Sequence, residues 1–135
     1  MHTQQQMLSF LHIETTGVPI YVQLREQVLA AMGAGLLRTG EQMPTMRQVA
    51  VALRVDLNTV RHAYDDLEKL GALRLERGRG TFVAEPPEPA HPDAQAEAAD
   101  KLARQTLAKA KTMGVTPERL LERIAALAAA KEDLR

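Results

Sequence analysis

The sequence predicts a mostly α-helical chain with one small β-hairpin, folded in two parts, and three observations carry that prediction. The stretch EPPEPAHP at 85–92 places four prolines in eight residues, which forbids a continuous helix and favours an extended spacer. On both sides of it, apolar residues recur at helical spacing behind capping signals. Two short strand-like runs flank Arg77, Gly78, Arg79 and Gly80, a natural hairpin turn. The expected organisation is a domain at 1–85, a linker at 86–92 and a tail at 93–135.

Taken in order, the apolar run 8–13 reads as a candidate strand, punctuated by Gly17 and Pro19. From Pro19 onward, Ile20, Leu24, Val28, Ala31 and Met32 mark the buried face of a first helix, with proline in its first turn and Gly33 and Gly35 at its end. Thr45 and Gln48 form a capping-box pattern that opens a second helix of about two turns, burying Val49, Ala50 and Leu53. Asp56 is placed to cap a third, whose apolar stripe is Val60, Ala63, Tyr64, Leu67 and Leu70 and whose stop is Gly71. Arg61, His62, Asp65 and Asp66 then face elsewhere. Segments 72–76 and 81–84 make the hairpin, and three helices followed by a hairpin make a winged helix-turn-helix. In the tail, Asp93 is placed to cap a helix running to Met113, with Gly114 at its end. Thr116, Pro117 and Glu118 open the last helix, which carries Leu120, Leu121, Ile124, Leu127 and Ala128. A two-helix hairpin has no covering layer of its own, so its apolar stripe needs a second copy or the N-terminal domain; a homodimer is the economical answer, with Leu102, Leu107, Leu120, Leu121, Ile124 and Leu127 as its expected contacts.

Composition narrows the function. The 135 residues leave room for one small domain and an appendage, too little for a large catalytic architecture. Aromatic residues are only 3% and Trp is absent, so aliphatic side chains must fill the core. Cysteine is absent, which excludes disulfides and thiolate zinc sites. With no apolar run of about 18 residues and no signal-peptide pattern, the expectation is a cytoplasmic protein without membrane contact. The formal net charge is zero, and residues 1–85 carry nine Lys or Arg against nine Asp or Glu. A nucleic-acid binder is usually basic, so where the charges sit has to decide.

In helix-turn-helix proteins the N-terminal end of the second helix of the pair enters the major groove. Here that end carries Leu57, Asn58, Thr59, Arg61 and His62. Asn58 suits adenine, Arg61 suits guanine or a phosphate, and Leu57 or the Thr59 methyl suits a thymine methyl; these roles are interchangeable at this level. Arg47, near the start of the preceding helix, suits a phosphate. Arg77, Gly78 and Arg79 suit a wing lying along the DNA backbone or in a minor groove. Singly, each has a plain structural explanation as a first-turn residue, a solvated charge or a basic turn.

Together they resemble the GntR family of bacterial regulators over almost all of 19–83. The resemblance is carried by PIYVQL at 19–24, GLL at 35–37, TGEQMPTMRQVA at 39–50, LRVDLNTVRHAYDDLEKLGAL at 53–73 and GRGTFV at 78–83. Thr39 stands where the family usually has proline, Thr45 where it has serine, and Asp56 where it often has asparagine. By this resemblance Arg47, Asn58, Thr59, Arg61 and Gly78 fall on positions that contact DNA. Most of the family carries a long ligand-binding or aminotransferase-like domain after the wing, whereas the tail here has about 50 residues. Its AKTMGVTPERLLERI at 110–124 is similar to the YtrA subfamily, whose two-helix tail serves dimerisation. Members of that subfamily commonly repress operons for ATP-dependent transporters, so the resemblance implies a homodimeric repressor on a palindromic operator. Two thin helices offer little volume for a small-molecule effector, which a dimer interface would have to supply.

Two other classes compete. An enzyme would have to use His2, His12, His62 or His91, but these lie at no ligand spacing and accompany no nucleophile elbow, phosphate loop or carboxylate pair. No metal or cofactor is expected. A winged helix used only for protein contacts is the second alternative, favoured by the neutral charge and opposed by the clustering of Arg74, Arg77 and Arg79 at the hairpin.

Overall fold

The computed structural model describes residues 7–85 and 92–133, so His2, His91 and most of the proline linker lie outside the described residues. Two compact units divide the chain, Met1–Pro86 and Pro87–Arg135.

Among the described residues, the first unit holds three long helices and a two-stranded antiparallel hairpin, preceded by helical backbone at Met7 and Leu8. Helix α1 spans Ile20–Gly33, α2 Met46–Leu53 and α3 Leu57–Lys69, followed by β1 at Leu73–Glu76 and β2 at Gly80–Val83. The capping box of α2 forms in full: Gln48 N–H donates to the Thr45 hydroxyl at 3.0 Å, and Thr45 N–H donates to Gln48 Oε1 at 2.8 Å. This helix ends on Arg54 in the left-handed region, φ 58 and ψ 47, a conformation that costs a side-chain-bearing residue about 1 kcal/mol. Gly71 stops α3 with φ 80, and Leu70, expected on the buried stripe, lies past the last turn and is exposed.

Leu24, Val28 and Ala31 of α1 meet Val49 and Ala50 of α2 and Val60, Ala63, Tyr64 and Leu67 of α3 in one core, which Leu73 and Val83 of the hairpin close. Complete burial of a Leu or Val contributes about 1.5–3 kcal/mol. Segment 8–13 is not a strand. Its backbone turns at Met7 to Leu11 and then runs without ladder partners, while Leu11 enters the core and Leu8, Phe10 and Ile13 pack against it. His12 and Glu14 are tied instead to the side chains of Gln27 and Gln23 on α1. An apolar run of this length serves equally as a core-covering strap, because periodicity alone does not separate the two.

The second unit is a pair of helices, α4 at Pro92–Met113 and α5 at Pro117–Asp133. Helix α4 starts one residue before the expected cap, so Asp93 sits in its first turn. Gly114 turns the chain with φ 77, and the Thr116 hydroxyl accepts from Arg119 N–H at 3.2 Å to cap α5.

Candidate nucleic-acid interface

The two helices of the helix-turn-helix are locked at their start. The buried Tyr64 hydroxyl of α3 donates to the Pro44 carbonyl, just before α2, at 2.6 Å. Burial pushes the Tyr64 phenol well above its ordinary pKa, so it stays a donor.

At the exposed end of α3, the Asp56 carboxylate accepts from Asn58 N–H at 2.7 Å. That acid is occupied with capping, which answers the departure from the family pattern at this position. Arg61 NH1 donates to Asn58 Oδ1 at 2.8 Å, so the two exposed polar side chains form one unit on the outer face. Thr59 is half-buried beside them. Leu57 turns inward and packs against the core. His62 lies against α1, where its ring stacks on Tyr21 at a centroid separation of 3.7 Å and approaches Asp66 at 3.7 Å. The same Asp66 accepts from Arg25 at 2.9 Å, and this hydrogen bond holds the guanidinium pKa above its ordinary value.

The wing is held from beneath. Strands β1 and β2 pair with Arg74 opposite Phe82 and Glu76 opposite Gly80. Met43 N–H donates to Thr81 O at 2.7 Å and Val83 N–H to Glu41 O at 2.8 Å, so segment 40–43 lies along β2 like a third strand. From this segment, Gln42 Nε2 donates to the Arg79 carbonyl at 3.0 Å. A Cβ on Gly80 would stand 2.6 Å from that nitrogen, and the φ of 126 there also demands glycine. Above, Phe82 lies under both Arg74 and Arg79 at 5.7 and 5.5 Å, and Glu76 pairs with the same two arginines at 3.0 and 2.9 Å. Arg77 and Gly78 project at the tip. The sequence reading missed Gln42 and Phe82. Phe82 was recoverable, since the turn fixes the register that sets it opposite Arg74, whereas nothing near Gln42 in the chain signals its reach to the wing.

These contacts explain how a neutral domain presents a cationic face. Carboxylates pair with Arg25 from α1 and α3, and with Arg74 and Arg79 in the wing. Several exposed cations of the first unit, Arg47, Arg61 and Arg77 among them, are in no ion pair among the described residues. These three belong to α2, the start of α3 and the wing tip, the three places where a winged helix meets a duplex.

The tail shows the opposite surface. Leu102, Leu107, Leu121, Ile124, Leu127 and also Met113 are 42–68% exposed, Leu120 is half-buried, and Ala110 is the buried side chain among the described residues of this unit. No described helix is long and apolar enough to cross a membrane. No three described His, Asp or Glu side chains converge as a metal site would require.

Comparison with known proteins gives the same picture. A family model described as bacterial regulatory proteins, gntR family, matches residues 20–83. The HTH-type transcriptional regulator YhcF of Bacillus subtilis is 34% identical over 110 residues, spanning 78% of this chain and 87% of that protein. The HTH-type transcriptional repressor YtrA of the same organism is 34% identical over 70 residues, about half of each chain. Among solved structures, a transcriptional antiterminator from Listeria monocytogenes superposes with a TM-score of 0.63 at 27% identity, covering 90% of this chain and 92% of that one.

Proposed function

The chain belongs to the GntR family of bacterial regulatory proteins, and from that membership we propose that it represses transcription as a homodimer on a two-fold symmetric operator. The observation that carries the reading is the placement of Arg47, Arg61 and Arg77, cations in no ion pair on the surfaces that a winged helix turns to DNA. Asn58 and Arg61 read base edges, with Thr59 beside them and with Leu57 and His62 bordering the patch. Arg47 takes a phosphate, and Arg77, Gly78 and Arg79 follow the backbone from the wing. The exposed leucines and isoleucine of the tail bury against a second copy, which sets two reading helices about one helical turn apart. Blocking RNA polymerase then follows from occupancy of a promoter. The repressor assignment is supported by the name of the YtrA relative, and control of a transporter operon by the similarity of the tail to its subfamily.

The test is a titration of the protein against the intergenic DNA upstream of its own gene at two salt concentrations, beside Arg61→Ala. Tight, salt-sensitive, sequence-selective binding that Arg61→Ala loses is the expected result. Binding of both proteins no better than to random duplex would sink it in favour of a winged helix that serves a protein partner.

A further inference from the structure

Arg54 holds the left-handed backbone conformation that every other described positive-φ position fills with glycine. Glycine takes that conformation at no steric cost, so an arginine there is favoured by what its side chain does, and strain of this kind marks functional positions. Within the domain the side chain does nothing: it is exposed and has no hydrogen-bond, ion-pair or ring partner among the described residues. Its place on the helix is informative. Arg47 and Val51 stand at i and i+4 on one face of α2, which the 73% exposure of Val51 shows to be open to solvent, and Arg54 caps the C-terminal end of the same helix, itself exposed. The rise along the helix separates the two arginines by about 10 Å. The nearby acid, Asp56, is occupied with the cap of α3.

A short helix with an exposed cation near each end, no carboxylate in the sequence between them and a direct join to the next helix fits a polyanion with regularly spaced charge. We propose that Arg54, at the C-cap of α2, is a second phosphate-binding residue, acting with Arg47 to seat the helix pair on the DNA backbone. The inference rests on the reading that this domain binds DNA. It requires Arg54 to act by charge, equally on all sequences.

Native protein, Arg54→Gly and Arg54→Lys are titrated with a mixed-sequence duplex of about 30 base pairs between about 50 and 200 mM salt, and each is melted thermally. Arg54→Gly is expected to melt no lower than the native chain, because the strained backbone is relieved. Its plot of log affinity against log salt is expected to be shallower by about 0.9, the contribution of one phosphate. The fourfold rise in salt therefore costs the native protein about 3.5-fold more affinity than the variant. Arg54→Lys keeps the native slope. An Arg54→Gly protein with native slope and affinity overturns the proposal, and so does an Arg54→Lys protein that loses the slope. Native binding without any salt dependence would instead remove the DNA reading itself, and the inference with it.

Discussion

The two units of this chain treat apolar side chains in opposite ways. In the first, Leu24, Val28, Val49, Val60 and Leu67 from three different helices converge until almost nothing of them reaches solvent. In the second, two longer helices carry leucines at equally regular spacing and leave them exposed. Amphipathic patterning thus specifies that a face will be covered, and the number of layers in the chain decides whether it covers that face itself. The first unit has a third helix and a hairpin to close over its core, whereas a helix pair has no third layer of its own, which is why its apolar face is assigned, in the proposed homodimer, to a second copy.

Substitutions that probe one half and spare the other sharpen this contrast. The largest effect is expected at Leu67, fully buried on α3: Leu67→Ala should cost about 2–5 kcal/mol of unfolding free energy in denaturant titration. Leu121→Ala should leave the melting of the first unit unchanged, and an equal loss at both sites would mean that the tail has a core of its own. Next is the pair Leu121→Lys with Ile124→Lys, expected to give a monomer in sedimentation and to weaken operator binding by about 100-fold, the avidity of two linked sites. A double variant that stays dimeric moves the interface away from α5.

A third contrast is electrostatic. Tyr64 is buried with its phenol pKa raised, so between its unfolded value near 10 and its higher folded value the native state holds a proton that the unfolded chain has lost. The stabilisation is therefore complete below pH 10 and falls by up to about 1.4 kcal/mol per unit above it. Tyr64→Phe should remove that alkaline slope, at a cost near neutral pH of about 1 kcal/mol for the lost bond to Pro44. An unchanged slope would place the alkaline transition on another group. Smallest is Gly80→Ala, where the flexible end of Gln42 can shift and the positive φ remains, for about 1 kcal/mol and a wing that binds DNA less tightly. Full affinity in that variant would show that the wing tolerates displacement.

Much of this was legible because it is local. Thr45, Gln48 and Asp56 announce their caps within three residues, Gly71 and Gly114 announce their stops, and the stripes of α1 and α3 repeat along single helices. What the sequence concealed is non-local. The run 8–13 has strand-like composition, but α1 offers it glutamine side chains and no free ladder edge, so it becomes a strap. His62 looks free on a helical wheel, and only the proximity of Tyr21, 41 residues earlier, turns it toward α1. Gln42 lies far from Arg79 in sequence, so its clamp on the wing is visible only after folding.

The ladder between segment 40–43 and β2 has a mechanical consequence. That segment leads directly into Pro44, whose carbonyl holds Tyr64 of α3, while its other edge grips the base of the hairpin. Wing and reading helix are fastened to the same short rail, so neither can swing without dragging the other. In the complex proposed above, groove and backbone would be gauged at a fixed separation, and a duplex whose local width departs from that gauge would itself have to deform to be held at both points.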